Sequence, residues 1–122
     1  NIMLEMEFTV PDTFKDYADE EIVMSDETWD EHISQKHPEI TKEQIRDVLA
    51  NPDKVCISQR KEKLNHRQYH QGPWKNPEGK DRFWKVVVKV CDDGNWISTA
   101  MTTSRINCGE VLFPIEKEEG EK

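Results

Sequence analysis

Nowhere does this 122-residue chain carry the roughly 18–20 consecutive apolar residues that a membrane-spanning helix requires. The opening stretch, "NIMLEMEF", has no basic region ahead of an apolar one, so a secretory signal peptide is not expected either. Cysteine is scarce and scattered. Cys56, Cys91 and Cys108 are an odd number with no Cys-x-x-Cys spacing, a pattern that suits a reducing, cytoplasmic setting. It argues against a disulfide framework and against a zinc ribbon. Apolar residues make up 34% of the chain and charged ones another 34%, so any core must be economical and most of the surface solvated. A chain of this length buries one modest core, which makes it a single domain over residues 1–122. Only the end, "EKEEGEK", reads as a charged disordered tail, leaving a core of about residues 22–113.

The net charge is −8, which on its face excludes a polyanionic partner. Its distribution says otherwise. Residues 1–53 carry 4 Lys/Arg against 15 Asp/Glu, whereas residues 54–107 carry 11 against 5. The stretch from 108 onward returns to 2 against 5. A basic middle between acidic flanks permits a polyanion site that the whole-chain balance hides. An ordinary solvated sheet with surface lysines would show the same count.

Local signals divide the chain into helices and then strands. Met6, Phe8 and Val10 alternate with polar residues as a first strand would, ended by Pro11. Ile22–Met24 re-enters the core. Ser25 is a good N-cap, with Asp26 and Glu27 in the first turn where the helix dipole favours them. Trp29 and Ile33 make a buried stripe, and Pro38 ends that helix. In the second helix, Thr41 and Gln44 form a capping box, with Ile40 stapled onto Ile45. Val48 and Leu49 continue the apolar face, and "NPD" stops it. From there the period changes from about 3.6 to 2. "KVCIS", "HRQYH", "RFWKVVVKV" and "WISTAMTT" read as strands, with "QGPWKNPEGKD" as a loop and "CDDGN" as a hairpin turn. The expected fold class is α+β, with N-terminal helices packed on a four-stranded antiparallel sheet. The helices should cover a face bearing Val55, Ile57, Trp84, Val86, Val88, Ile97 and Met101.

Four histidines invite chemistry. His32 borders the buried stripe, where a half-buried packing role explains it as well as a catalytic one. His37 leaves the helix at its C-terminal end, where an imidazolium can cap free carbonyls. On a regular helix a spacing of five rotates them about 140° apart, so they do not share a face. His66 and His70 have the H-x₃-H spacing of many zinc sites, but four residues of strand span about 13 Å. No metal and no cofactor is therefore expected. Lys85 and Lys89 alternate away from the valine face of their strand. On the partner strand Ser98, Ala100 and Thr102 share the lysine face while Ile97, Thr99 and Met101 alternate onto the other, and the hydroxyl-rich run continues into Thr103, Ser104 and Arg105. Cations with hydroxyl donors are what phosphate recognition uses. Tyr69, Trp74 and Phe83 could stack bases, as in single-stranded RNA recognition.

These residues also carry a family likeness. "W-x₂-H-I-x₃-H-P-E" at Trp29–Glu39, then "VLANPDKV", "KVVVKV" and "STAMTTSRINCGEVLF", resemble the phage-associated branch of the barnase–EndoU–colicin–RelE nuclease superfamily. The resemblance covers about residues 22–113. It implies helices packed on an antiparallel sheet and metal-independent RNA cleavage by a toxin-like or effector-like domain. It also implies RNA as a partner, with a cognate inhibitor protein as a second. Matching positions are His32, His37, Lys85, Thr99, Thr102 and Ser104. Of these, His32, His37, Lys85 and Thr102 are the expected catalytic residues, and Thr99 and Ser104 join Tyr69, Lys89 and Arg105 from the residue reading above as expected contacts to substrate. The alternatives are a nucleic-acid-binding module that has lost cleavage, and a protein-binding partner that works through its acidic half.

Overall fold

The computed structural model describes residues 12–58, 65–107 and 109–114. The strand expected at Met6–Val10 and the charged tail at 116–122 lie outside them. The chain opens with a hairpin of β1 (Asp12–Lys15) and β2 (Glu21–Met24). An irregular helical segment follows: α1 (Asp26–Thr28), a π-turn (Trp29–Ile33) and α2 (Ser34–Lys36). Next come α3 (Lys42–Ala50), β3 (Lys54–Ile57), β4 (His66–Lys75), β5 (Asp81–Cys91), β6 (Gly94–Thr103) and β7 (Val111–Phe113). No helix among the described residues is long and apolar enough to cross a membrane.

The sheet corrects the expected architecture. Among the described residues it has seven strands in the order β1-β2-β6-β5-β4-β3-β7, and it is mixed, because β2 runs parallel to β6. Helices are short and few rather than a layer over four antiparallel strands. Three features account for the difference. The β1–β2 hairpin forms around Asp16, whose Oδ1 accepts the Ala18 and Glu20 amides at 2.9 Å each and closes the turn. β4 runs on through the stretch expected as a loop, because glycine at 72 permits a kink instead of a break. Its φ is +134°, and a Cβ there would lie 2.9 Å from the Arg82 carbonyl oxygen. β7 spans only three residues, too few for alternation to register.

The caps stand as expected. Ser25 Oγ accepts the Thr28 amide at 3.1 Å, and Thr41 Oγ1 accepts the Gln44 amide at 3.0 Å. The Gln44 side chain does not complete a capping box; it donates to Gln71 Oε1 instead. Ile45, Val48 and Leu49 of α3 are buried with Phe14, Val55, Tyr69, Val86, Val88, Ile97 and Ala100.

Two expected core positions lie outside the core cluster, while Trp84 packs half-buried against it. Ile57 is only half-buried, and Met101 is on the opposite face with Ala100 in its place. A bulge causes the second change. Val87 pairs with Thr99 and Val88 with Ile97, so Ser98 is the extra residue and alternation slips by one.

The sheet is strongly curled. Seven flat strands at about 4.8 Å spacing would separate the outer pair by about 29 Å. Yet Tyr17, just after β1, packs on Phe113 of β7 with ring centroids 4.7 Å apart. The concave side holds α3 and the core; the convex side carries the remaining polar residues.

Candidate functional site

β4, β5 and β6 present one row of side chains each to the convex face. Register sets Gln68 against Val87 and Val87 against Thr99, with His70, Lys85 and Met101 forming the next row. The stretch leaving β6 crosses this face, since Ser104, Arg105 and Asn107 share a cavity lining with Ser58, His66 and Gln68. It returns where Gly109 donates to the Ile57 carbonyl at 2.7 Å and Ile57 to the Glu110 carbonyl at 2.8 Å. Under the crossing lies a cavity of about 490 Å³.

Its lining is polar and one-signed. Lys85 and Arg105 bring cations, and His66 an imidazole. Ser58, Ser98, Thr99, Thr103 and Ser104 bring hydroxyls; Gln68 and Asn107 bring amides; Val87 and Met101 form an apolar patch. No Asp or Glu is among these described lining residues, in a chain with 25 of them. The Arg105 turn is drawn in by Thr103 Oγ1 donating to the Arg105 carbonyl at 3.1 Å.

Electrostatics sharpen the site. Burial pushes the Lys85 ammonium below its ordinary range, because a half-buried cation loses hydration. Gln68 is buried, and its Oε1 has no hydrogen-bond partner among the described residues. That is a costly acceptor to leave unmet. His66 Nδ1 lies 3.0 Å from Asn65 Oδ1, which fixes the ring's orientation.

Just past the cavity, His70 is fully buried, and among the described residues its ring nitrogens have only a poorly aligned contact to the Lys54 backbone. Burial first, then the Lys85 charge, lowers its pKa to about 4. The neutral imidazole is thus favoured in the fold, while the unfolded chain takes up a proton near the ordinary ~6.5. Stability from this group is full above pH ~6.5 and is lost as pH falls toward ~4, by up to about 3 kcal/mol. Denaturant titrations between pH 7 and 4 should show this loss, and His70→Gln should flatten it. An unchanged slope in that variant would remove His70 as the cause.

The structure places the residues suggested by the sequence in three groups. Lys85, Thr99, Ser104 and Arg105 line the cavity together. His32 is outside the lining but touches it, with Nε2 2.9 Å from Thr99 Oγ1. His37 lies against His32 after all, ring centroids 5.9 Å apart. The expected 140° separation assumed a regular helix, but Ser34 donates to the Trp29 carbonyl across five residues. In that π-turn, five residues come closer to one revolution.

The remaining three sit elsewhere. Tyr69 is in the core, its hydroxyl donating to Asp16 Oδ2 at 2.7 Å. Thr102 accepts from Arg82 at 2.7 Å, in register with Trp84 on the other face. Lys89 is exposed opposite His66, beyond the cavity.

His66, Gln68 and Asn107 were not selected as an anion site from sequence. The alternation of "HRQYH" already puts His66, Gln68 and His70 on one face, so the first two were legible there. The cysteines also differ from expectation, since Cys56 is disulfide-bonded and only Cys91 is a free thiol among the described residues. The scattered spacing therefore does not establish a reducing compartment. Among the described residues, no group of three or more His, Cys, Asp or Glu side chains is placed to hold a metal ion. Comparison with family models, with curated proteins and with solved structures finds no match to this chain, so a functional reading must rest on this geometry.

Proposed function

We propose that the cavity holds a phosphodiester of RNA and that the protein cleaves it without a metal ion, by transesterification through the ribose 2′-hydroxyl. The observation that carries this reading is a lining with Lys85 and Arg105 and no carboxylate, in a chain of net charge −8. Such a lining selects anions, and the hydroxyl and amide groups supply the donors that phosphoryl oxygens take.

The chemistry needs a base, an acid and charge stabilisation. A base takes the 2′-hydroxyl proton as that oxygen bonds to phosphorus. An acid gives a proton to the departing 5′-oxygen, leaving a 2′,3′-cyclic phosphate and a 5′-hydroxyl. His66 and Lys85 are the cavity groups suited to exchange those protons. Histidine titrates near neutrality, and burial brings lysine toward it. Arg105 stays charged and holds the phosphoryl oxygens as negative charge grows on them.

The test uses the whole protein with mixed RNA in excess EDTA. Expected products are fragments ending in 2′,3′-cyclic phosphate, and RNA binding that weakens steeply with salt as counterions are released. Binding without cleavage would instead assign a binding module. RNA that is neither bound nor cut would overturn the reading.

A further inference from the structure

Two irregularities of the backbone meet at one hydrogen bond. β2 pairs with β6 only at Asn95 and Trp96, so beyond that point the edge of β6 is faced by the helical segment. The π-turn there carries His32, and the bulge at Ser98 carries Thr99. Their side chains join at 2.9 Å across 67 residues of sequence. Both irregularities interrupt regular backbone pairing, and both kinds recur next to functional sites, where they re-aim a side chain. Thr99 is the one residue in this contact that also lines the cavity.

Resting on the cavity as a phosphodiester site, we propose that His32 is a positioning residue: through Thr99 it sets whether that hydroxyl offers a proton or a lone pair to the bound phosphodiester. The hydroxyl has one proton to direct. When His32 Nε2 is unprotonated, it accepts that proton, and the Thr99 oxygen turns lone pairs toward the cavity. When Nε2 carries a proton, as it can in one neutral tautomer and always does in the imidazolium, Nε2–H donates to Oγ1, and the Thr99 hydroxyl turns to donate to a phosphoryl oxygen. An anion favours the second arrangement. Phosphodiester binding and His32 protonation are then linked, and the linkage runs both ways.

Other charges act on the same ring. His37 stacks edge-on beside it, and Asp30 and Glu31 flank it in the π-turn. From α3, Lys42 stands over the Trp29 ring at 5.3 Å. Behind Thr99 lie Lys85, His66 and Arg105. None of these passes through the Thr99 hydroxyl, so substitution there isolates the coupling.

The test measures binding of a 2′-deoxy dinucleotide, which cannot be cleaved and keeps one phosphodiester charge from pH 5.5 to 8. Wild type should tighten on acidification about fivefold more than Thr99→Val or His32→Gln, both of which keep His66. Thr99→Ser should restore the wild-type difference. In NMR titrations the dinucleotide should move the His32 imidazole midpoint upward in wild type and leave it in place in Thr99→Val. His32→Gln and the wild-type NMR shift carry the test if Thr99→Val does not fold. Equal pH dependence in all variants, or an unmoved His32 midpoint in wild type, would overturn the coupling while leaving the cavity's role intact. No dinucleotide binding at either pH, by a protein that does not cut RNA, would remove the cavity reading and this inference together.

Discussion

Lys85→Ala is expected to slow RNA cleavage by about 10²–10⁴-fold while the protein stays folded. The side chain is half-buried in the cavity lining, between His70 on β4 and Met101 on β6. It makes no ion pair among the described residues, since the pairs there use other cations. Truncation therefore removes a desolvated charge without opening the core, and thermal melts should change little. Lys85→Arg separates the two roles the residue could have. A guanidinium supplies charge but does not give up its proton in this pH range. If Lys85 exchanges a proton, arginine should fail to rescue the rate although RNA binding persists. If it only holds charge, arginine should rescue most of it. The pH–rate profile of wild type should then lose, in the arginine variant, a limb lying below the ordinary lysine range, in the direction burial has pushed Lys85. A cleavage rate unchanged in Lys85→Ala would move the chemistry out of this cavity.

How far the sequence disclosed this site depends on whether the deciding interaction is local. Ser25 and Thr41 cap helices through amides three residues away, and those caps were readable as patterns. The alternation that put Lys85 away from Val86 and Val88 was readable for the same reason. Thr99 was suggested only by the family likeness, because alternation assigned it, with Met101, to the wrong face. Nothing in "WISTAMTT" announces that Ser98 is a bulge; that is settled by how β6 must pair with β5 while meeting the helical segment at its edge. The π-turn that brings His32 beside His37 is hidden likewise, because a helical pattern of Trp29 and Ile33 does not specify five-residue hydrogen bonding. Tyr69 was misjudged as a stacking residue because its partner, Asp16, lies 53 residues away. The seven-strand order was out of reach for a related reason. It rests on a parallel pairing of only two residue pairs and on a three-residue edge strand.

Asp16→Ala should be the most destabilising single truncation among these polar groups, costing about 3–5 kcal/mol. The carboxylate's side chain is fully buried, and each oxygen has work on a different element. Oδ1 accepts the amides of Ala18 and Glu20, while Oδ2 accepts the Tyr69 hydroxyl at 2.7 Å and lies 3.6 Å from the Arg67 guanidinium. Arg67 also donates to the Tyr69 oxygen at 3.0 Å and to Glu20 Oε1 at 3.1 Å. One side chain thus ties the β1–β2 turn to β4 across the concave side of a curled sheet. Without it, a buried hydroxyl and two turn amides lose their acceptor, and Arg67 keeps the Tyr69 oxygen but only the exposed Glu20 as an ion-pair partner. Tyr69→Phe should cost less, about 1–2 kcal/mol, because Asp16 keeps its amides and its cation. Chemical denaturation of the two single variants and the double variant closes a cycle, and a coupling well above zero is expected for groups in direct contact. The consequence extends to the other face. Gln68 and His70 flank Tyr69 on β4 and point to the convex side. A β4 that no longer holds its register on Tyr69 would loosen the floor on which Lys85 stands. If Asp16→Ala instead unfolds within 1 kcal/mol of wild type, the hairpin is held by Phe14 and Ile22 in the core, and this network is not what closes the sheet.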